Sequence, residues 1–475
     1  MIFNSFNFLI IYPILFLLYY AIPAKYNNAR NLFLLLLSYL LYINWKPVYA
    51  LILLYVTAIT FVGAKMLIKL KNKSGGVKNV NVLLALFVVL TAGPLVFFKY
   101  YNFINESVLY SLSAIGLRVN LPGINLMVPI GISFFTFQAL SYLWDVYYKR
   151  IESENNFLHY ALYISFFPSI VAGPINKASL ILPQIKALRP YFDYDKAVAG
   201  MKMFLWGIFM KVVVADRIAL YVDTVLNSYE NYTGVTCLFA CFLYSIQIYA
   251  DFAGYSLMAI GVGKTLGFEL TENFRRPYFA FSVTDFWRRW HISLSTWLKD
   301  YVYIPMGGSR CSKVRNYWNI VVTFLVSGIW HGANWTFIVW GLLHGFFQVV
   351  EKALGQQKCE YGKIGKTIKI LITFFLVSFA WIFFRMPTLT DSINLLYHIS
   401  DFSLAKTVYI DIVVLPFVFL GMLVMFIKDA LDEYYPTYIE IFTNKIVRWT
   451  MYICLIVFIM LSGVFSSDQF IYANF

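Results

Sequence analysis

Long runs of apolar residues, separated by short polar stretches, follow one another along almost the whole chain. A helix needs about 20 apolar residues to cross the hydrocarbon core of a bilayer, so the longer runs predict membrane-spanning helices. Shorter or broken helices at membrane depth require protein or a water-filled cavity to satisfy their backbone. We therefore expect an all-α polytopic membrane protein with about eleven crossings and several partial or re-entrant helices. The expected helices are Phe6–Ile22, Leu32–Trp45, Val48–Ile68, Val80–Phe98, Leu126–Tyr148, Leu158–Val171, Met203–Val214, Val235–Ala250, Leu257–Phe268, Ile320–Trp330, Trp335–Val350, Ile368–Phe384, Ile410–Phe426 and Trp449–Val464.

Basic residues between the first runs predict the orientation of the chain. None precedes the first run, whereas Lys25 and Arg30 follow it and a lysine-rich stretch over residues 69–78 follows the third. Because Lys and Arg are enriched in cytoplasmic loops, both stretches are predicted to be cytoplasmic and the N-terminus to lie outside. The start of the chain lacks the basic region and cleavage site of a secretory signal, so we interpret it as a retained first helix.

The longest polar interruption covers residues 271–319 and carries eight basic residues against three acidic ones. This excess predicts a cytoplasmic location. Aromatic and aliphatic residues alternate with the charges, so the stretch from Asp285 to Lys299 predicts one amphipathic helix at the membrane interface. Ser282 and Asp285 have the spacing of a capping box, and Pro305-Met-Gly-Gly-Ser309 is typical of a helix end. We expect one membrane domain over residues 1–475, with N-terminal helices over 1–125, a core over 126–352 that includes this segment, and C-terminal helices over 353–475.

Composition supports the membrane prediction and excludes other classes. Hydrophobic residues make up 60% of 475 positions and charged residues only 13%, whereas about a quarter of a soluble domain is charged. The net charge is +14, and the basic residues lie between the apolar runs, as the positive-inside rule predicts. No basic stripe with stacking aromatics is present that would predict binding of nucleic acid. The five cysteines have no paired metal-ligand spacing, so no metal site is predicted. We find no internal repeat of the kind common in transporters.

His331 is the first candidate for chemistry, because an ionisable residue among membrane segments is costly. It lies in Val326-Ser-Gly-Ile-Trp-His-Gly-Ala-Asn-Trp335, between two apolar runs. Asn334 and Trp335 follow within a helical turn and are expected near the same face as possible substrate-binding residues. A neutral imidazole in a dry cavity could accept a proton from a hydroxyl. The bare residue is equally compatible with a core histidine that bonds a neighbouring helix.

His291 is the second candidate, in Phe286-Trp-Arg-Arg-Trp-His-Ile-Ser-Leu-Ser-Thr-Trp297. Its cationic surroundings predict a neutral ring. Arg288, Arg289 and Lys299 could bind a phosphorylated donor such as a nucleotide-bearing thioester. The alternative is an interfacial belt of Trp and Arg that anchors the helix in the headgroups.

Two further polar residues are predicted to be structural. His344 follows His331 by thirteen residues, which places it near the opposite face if the helix is continuous. Asp251 is expected to be a buried hydrogen-bond hub or the ion-pair partner of the Arg-rich segment. The sequence contains no phosphate-binding loop, nucleophile elbow or His-Glu-x-x-His zinc site, so these chemistries have no support.

Taken together, these motifs resemble the membrane-bound O-acyltransferases of the alginate O-acetyltransferase type. The run from Asp251 to Cys311 resembles the signature of that family, and further blocks are Val128–Ile151, Phe166–Asn176, Trp330–Phe346 and the ending Phe470–Phe475. The resemblance implies a funnel-shaped multi-helix fold with a tunnel through the membrane. It also implies that His331, in the Trp-His-Gly block, is the essential histidine and that His291 lies near the cytoplasmic mouth.

The resemblance further implies the reaction and its setting. An acyl group, most simply the acetyl of acetyl-CoA, would pass from a cytoplasmic thioester donor to an exported polysaccharide or peptidoglycan, with no bound cofactor. His331 would act as general base or as a proton relay, Asn334 or backbone N–H groups would support the oxyanion, and His291 with the basic helix would hold or orient the donor. Expected partners are membrane lipid, an extracytoplasmic SGNH-hydrolase-like acetyltransferase and the machinery for polysaccharide synthesis or export. The expected location is a bacterial plasma (inner) membrane.

Four alternative functions stay open from the sequence. One is D-alanylation of teichoic acid with a carrier-bound thioester, which the alginate-type motif Trp-His-Gly-Ala-Asn-Trp disfavours. Another is acylation of a phospholipid or a protein. From other classes, the chain could be a glycan or lipid transporter, or a non-catalytic scaffold of a secretion complex.

Overall fold

A computed structural model describes residues 3–44, 46–72, 77–117, 119, 122–124, 127–189, 192–355, 362–400, 407–435 and 444–465. Every regular element within these residues is a helix, which confirms the expected all-α class. The chain separates into two compact units, the first mainly of residues 7–200 and 262–271 and the second mainly of residues 201–261 and 272–475. The expected division at residues 125 and 352 stays a prediction, and the motif Phe470–Phe475 lies outside the described residues.

Seven stretches of the described chain are long and apolar enough to cross a membrane, by length and composition. They are Pro47–Asn72, Asn79–Ala114, Tyr194–Leu226, Gly234–Thr265, Lys363–Arg385, Val414–Tyr434 and Lys445–Ser462. Several shorter helices accompany them, as the uneven lengths of the apolar runs predict. The expected total of about eleven crossings stays a prediction.

Most helices of the first unit follow the apolar runs, but the fourth continues sixteen residues past the predicted end at Phe98, the eighth has no predicted counterpart, and two others need correction. They are α1 (Phe6–Ala21), α2 (Asn27–Ile43), α3 (Pro47–Asn72), α4 (Val77–Ala114), α5 (Ile132–Tyr147), α6 (Phe157–Ser165), α7 (Phe167–Ile170) and α8 (Ala178–Lys186). The helix predicted from Leu126 begins only at Ile132, because Gly131 has a φ of 72° and the carbonyl of Ile170 occupies the place of a Cβ there. The helix predicted over Leu158–Val171 breaks at Phe166, two residues before Pro168.

The remaining longer helices lie mainly in the second unit. They are α9 (Tyr194–Ile208, which begins in the first unit), a π-helical turn (Phe209–Ala215), α10 (Asp216–Leu226), α11 (Gly234–Thr265), α12 (Val283–Arg289), α13 (Ile292–Leu298), α14 (Lys313–His331), α15 (Trp335–Ala353), α16 (Lys363–Arg385), α17 (Leu389–Ser400), α18 (Val414–Tyr434) and α19 (Lys445–Ser462). The run predicted over Met203–Val214 is thus the middle of a longer helical stretch, and α11 joins two runs predicted to be separate.

A buried ion cluster explains why α11 continues through Asp251. The Nζ atom of Lys211 lies 2.6 Å from a carboxylate oxygen of Asp251 and 2.6 Å from one of Asp216. All three side chains are about 2% exposed or less. Because the lysine compensates the charge of Asp251, the helix has no need to end there. Asp251 therefore pairs with a lysine of the π-helical turn, and its structural role stays a prediction.

Candidate active site

The amphipathic segment is not the single helix that the sequence predicts from Asp285 to Lys299. The Ser282 hydroxyl accepts a hydrogen bond from the Asp285 N–H at 2.9 Å, which confirms the predicted helix start. The helix α12 then ends at Arg289, and α13 begins at Ile292. Between them His291 has a φ of 43°, a left-handed conformation that costs a non-glycine residue energy unless its surroundings hold it. The break places the imidazole inward, fully buried.

The side chain of Asn273 holds His291 in that position. Its Oδ1 atom lies 3.1 Å from His291 Nδ1 and also accepts from the backbone N–H and the hydroxyl of Ser293. Its Nδ2 atom donates to the Ser256 hydroxyl at 3.1 Å, which fixes the orientation of the amide. An amide oxygen only accepts hydrogen bonds, so Nδ1 of His291 carries the proton and Nε2 is the acceptor atom of the neutral ring.

Burial keeps the His291 ring neutral. Desolvation lowers its pKa to about 3, because the charged imidazolium would lose its hydration in this site. The expectation of a neutral ring rested on neighbouring cations, whereas the structure gives burial as the physical cause.

His331 is the last residue of α14, and its ring is enclosed by aromatic side chains. It is 2% exposed, and its ring centre lies 4.9 Å from Trp330, 4.9 Å from Trp340 and 5.3 Å from Phe384. The ring centres of His291 and His331 are 6.4 Å apart. The structure thus brings together the two histidines that the sequence singles out. A passage that reaches His331 from both faces of the membrane stays a prediction.

Close packing of α14 on α15 sets the position of His331. A Cβ at Gly328 would collide with the Phe337 carbonyl oxygen, and one at Gly341 with the Phe324 carbonyl oxygen. The two helices therefore approach backbone to backbone at these glycines. The chain turns between them at Gly332, so the single continuous helix assumed for His344 is wrong. His344 lies in α15 and accepts a hydrogen bond at Nδ1 from Trp287 Nε1 at 3.2 Å, which ties α12 to α15.

Asn334 and Trp335 do not share a helical turn with His331, because α14 ends at that histidine and Gly332 is extended. Asn334 is the N-cap of α15: its Oδ1 accepts from the Thr336 N–H at 3.1 Å, and its Nδ2 donates to the Pro387 carbonyl at 2.7 Å. Trp335 is 53% exposed. Their substrate-binding roles stay predictions, although the contacts of Asn334 are those of a capping residue.

The three cations predicted to hold the donor have different surroundings. Arg289 pairs with Asp285 at 3.0 Å and with Glu433 at 2.9 Å, and Glu433 also pairs with Arg276 at 2.9 Å. The Arg289–Glu433 ion pair therefore links α12 to α18. Arg288 and Lys299, in contrast, are exposed.

Several residues that shape the site were missed in the sequence. Asn273 lies in an irregular stretch eighteen positions before its histidine, and no periodic pattern links the two. The carboxylate of Glu351 accepts from the backbone N–H groups of Val283 and Thr284 at the start of α12. A glutamate near the end of an apolar run is the one signal that could have indicated this contact, since a buried charge needs a partner.

The comparisons with known proteins now bear on this arrangement. Residues 85–386 match the model of the MBOAT, or membrane-bound O-acyltransferase, family. The probable alginate O-acetylase AlgI of Pseudomonas aeruginosa is 38% identical over 394 residues, which cover 82% of this chain and 73% of the relative. The chain belongs to the membrane-bound O-acyltransferase family. The resemblance seen in the sequence is thereby confirmed, and Asn273, His291 and His331 all lie within the region that matches the family.

Two further proteins are similar to this chain over much of its length. The peptidoglycan O-acetyltransferase of Helicobacter pylori is 35% identical over 414 residues, 81% of this chain and 76% of that protein. The teichoic acid D-alanyltransferase of Bacillus subtilis is 28% identical over 277 residues, 55% of this chain and 70% of that protein. The family and the apolar helices together show a multi-pass membrane protein.

Proposed function

We propose that this protein is a membrane O-acetyltransferase that moves an acetyl group from a cytoplasmic thioester, acetyl-CoA, toward the O-acetylation of an exported polysaccharide or cell-wall glycan. The observation that carries the proposal is the pair of buried histidines, His291 and His331, with ring centres 6.4 Å apart. In a family of O-acyltransferases, such a pair supplies a proton acceptor and a second imidazole whose tautomer is fixed. The similarity to alginate and peptidoglycan O-acetylating proteins supports the choice of acetyl and of a glycan.

His331 is the general base of the proposed reaction. As the acceptor oxygen bonds to the carbonyl carbon of the thioester, its proton passes to the imidazole. The carbon–sulfur bond then breaks, and the proton passes on to the departing thiolate, which leaves as a thiol. A thioester is already activated, so the protein needs only to align the reactants, move this proton and exclude water.

His291 is proposed to position the reactants through its Nε2 atom. With Nδ1–H directed to Asn273, the neutral ring presents an acceptor to a hydroxyl and stays neutral across the physiological range because burial lowers its pKa to about 3. Asn334 is proposed to hold the start of α15 in place, because its amide atoms bond Thr336 and Pro387.

Access to His331 requires a side-chain movement. Trp330, Trp340 and Phe384 surround the ring, and none of the three is more than 5% exposed. We propose that substrate entry displaces at least one of these aromatic rings. Exclusion of water by the same rings then protects the thioester from hydrolysis.

The donor is proposed to bind at Arg288 and Lys299, which are exposed. Arginine and lysine are suited to phosphate groups, such as those of a nucleotide-bearing thioester. We further propose a bacterial plasma membrane location with the N-terminus outside, and delivery to the glycan by an SGNH-hydrolase-like acetyltransferase beyond the membrane together with the polysaccharide synthesis or export machinery.

Comparison of cells with and without the gene tests this function. Mass analysis of surface polysaccharide, peptidoglycan and teichoic acid should show ester-linked acetate that is lost from one glycan fraction when the gene is deleted and restored by complementation. Loss of D-alanine from teichoic acid, with acetate unchanged, would instead support D-alanyl transfer, for which the 28% identical D-alanyltransferase is the supporting observation. No change in any acyl ester would contradict both.

A further inference from the structure

A wide groove in the second unit lies away from the two histidines, between α9, α18 and α19. Its volume is about 900 Å³. Most of its lining is apolar, with Leu420 and Val424 from α18 and Leu455 and Phe458 from α19. Such side chains are as apolar as lipid tails and are suited to contact with them.

Three cations line the same groove, and its described lining includes no carboxylate. They are Lys202 of α9, Lys428 of α18 and Arg448 of α19. Lys428 pairs with Asp432 at 2.6 Å, which compensates its charge. Lys202 and Arg448 leave the groove with a positive charge, and a cluster of this kind matches an anionic headgroup.

Lys202 and Arg448 lie toward the same end of the groove. Lys202 Nζ lies 5.9 Å from the ring centre of Tyr452, one helical turn beyond Arg448, and Lys428 Nζ lies 5.2 Å from the ring centre of Trp206. Farther along α19 the lining is apolar: Phe458 lies ten residues after Arg448, and its ring centre is 5.9 Å from that of Phe209.

The aromatic rings at the charged end strengthen this polarity. Trp206 and Tyr452 both line the groove beside the lysines. Tryptophan and tyrosine are enriched where a membrane changes from acyl chains to headgroups, since one part of each ring is apolar and one is polar. The groove therefore has a polar end at Lys202 and Arg448 and an apolar end at Phe458, and Trp206 lies between them, since its ring centre is 4.8 Å from that of Phe209.

We propose that this groove binds one anionic phospholipid, with its phosphate at Lys202 and Arg448 and its acyl chains along α18 and α19 toward Phe458. The site depends on residues that the acetyl-transfer proposal does not use, so it stands or falls independently of that proposal. The lipid fills a gap that would otherwise leave α19 with little protein contact on this side.

Cys454 provides a direct probe, because it lines the groove and is exposed. In the full chain with Cys311→Ser and Cys359→Ser, the rate of maleimide labelling of Cys454 is measured in uncharged detergent. Phosphatidylglycerol, phosphatidylcholine of the same acyl chains, or glycerol phosphate is added in parallel. Phosphatidylglycerol should slow the labelling at concentrations at which phosphatidylcholine has little effect and glycerol phosphate has none.

Two double variants with equal loss of charge separate the site from general electrostatics. Lys202→Gln with Arg448→Gln should raise the phosphatidylglycerol concentration for half-protection roughly tenfold or more, since each basic residue near a lipid surface contributes appreciably. Lys313→Gln with Arg315→Gln, at exposed positions at the start of α14, should leave it unchanged.

Four outcomes would overturn the proposal, and the first three do not depend on the folding of the Lys202/Arg448 variant. They are equal protection by phosphatidylcholine, full protection by glycerol phosphate alone, no protection by any lipid, and unchanged protection in a folded Lys202/Arg448 variant. Intact acetyl transfer with no lipid protection would reject this inference and leave the proposed function standing.

Discussion

Asn273 holds His291 through one amide oxygen, which lies 3.1 Å from His291 Nδ1 and also accepts two hydrogen bonds from Ser293. This contact determines both the tautomer of the ring and the left-handed backbone of His291. The Ile292 N–H donates to the Asn273 carbonyl at 2.9 Å, so main chain and side chain of Asn273 act at the same break. Asn273, which lies outside every helix, thus orients His291, a candidate catalytic-site residue.

Asn273→Ala should lower kcat at least tenfold, because the ring of His291 loses the acceptor that fixes its tautomer. The measurement is acetyl transfer by purified protein, with kcat and KM separated. Ser295→Ala is the matched control: it removes a hydroxyl at the same break, which donates to the Trp290 carbonyl at 3.2 Å, and leaves Asn273 bonded to the histidine. An equal loss in both variants would mean that Asn273 acts only through packing.

The buried neutral ring of His291 predicts a pH dependence of stability. Its pKa is about 3 in the folded protein and about 6.5 in an unfolded chain. Between these values the unfolded state binds the extra proton, so the free energy of unfolding falls as pH falls, by up to about 1.4 kcal/mol per pH unit from this group. Melting temperatures from pH 7 to 4 should decline less steeply in His291→Gln than in the wild type.

The control for that experiment is also Ser295→Ala, which removes a side chain that does not titrate from the same break. Its pH profile should follow the wild type. If His291→Gln shows the wild-type slope as well, the folded protein does not hold His291 neutral by burial.

The glycines at the crossing of α14 and α15 predict sensitivity to one methyl group. Gly328→Ala should reduce stability by about 1–3 kcal/mol, a usual cost of overpacking, and displace His331. Gly93→Ala in α4 is the control, since a Cβ there meets nothing within 4 Å and alanine favours a helix. The melting temperature of each variant in detergent is the measurement. Equal melting temperatures would show that α14 and α15 can move apart without loss of stability.

The sequence predicts the class of fold well because the bilayer demands long apolar helices, and their signal lies in local composition. It also singles out His291 and His331, which the structure brings within 6.4 Å of each other. Local patterns fail where distant residues decide the outcome. Asp251 ends no helix, because Lys211 compensates its charge. The amphipathic segment breaks at His291, because Asn273 supports a conformation that periodicity does not reveal.

The two adjacent arginines of α12 should respond differently to substitution. Arg289→Ala should lower the melting temperature, because Glu433 and Asp285 lose a partner, and should leave the KM for the donor nearly unchanged. Arg288→Ala should leave the melting temperature unchanged and raise that KM, because the exposed guanidinium is proposed to bind donor phosphate. Thermal unfolding and donor titration of both variants test this, and the reverse pattern would assign donor binding to Arg289.

The role of His331 as general base is tested most directly by the acetyl content of surface glycan in cells that express His331→Ala. The account predicts that the ester-linked acetate is lost, since a general base contributes roughly 10²–10⁴-fold to such a step, while the amount of protein in the membrane stays at the wild-type level. His344→Ala, which removes a second buried histidine that bonds Trp287, should retain most of the acetate. Normal acetate in His331→Ala would contradict the account.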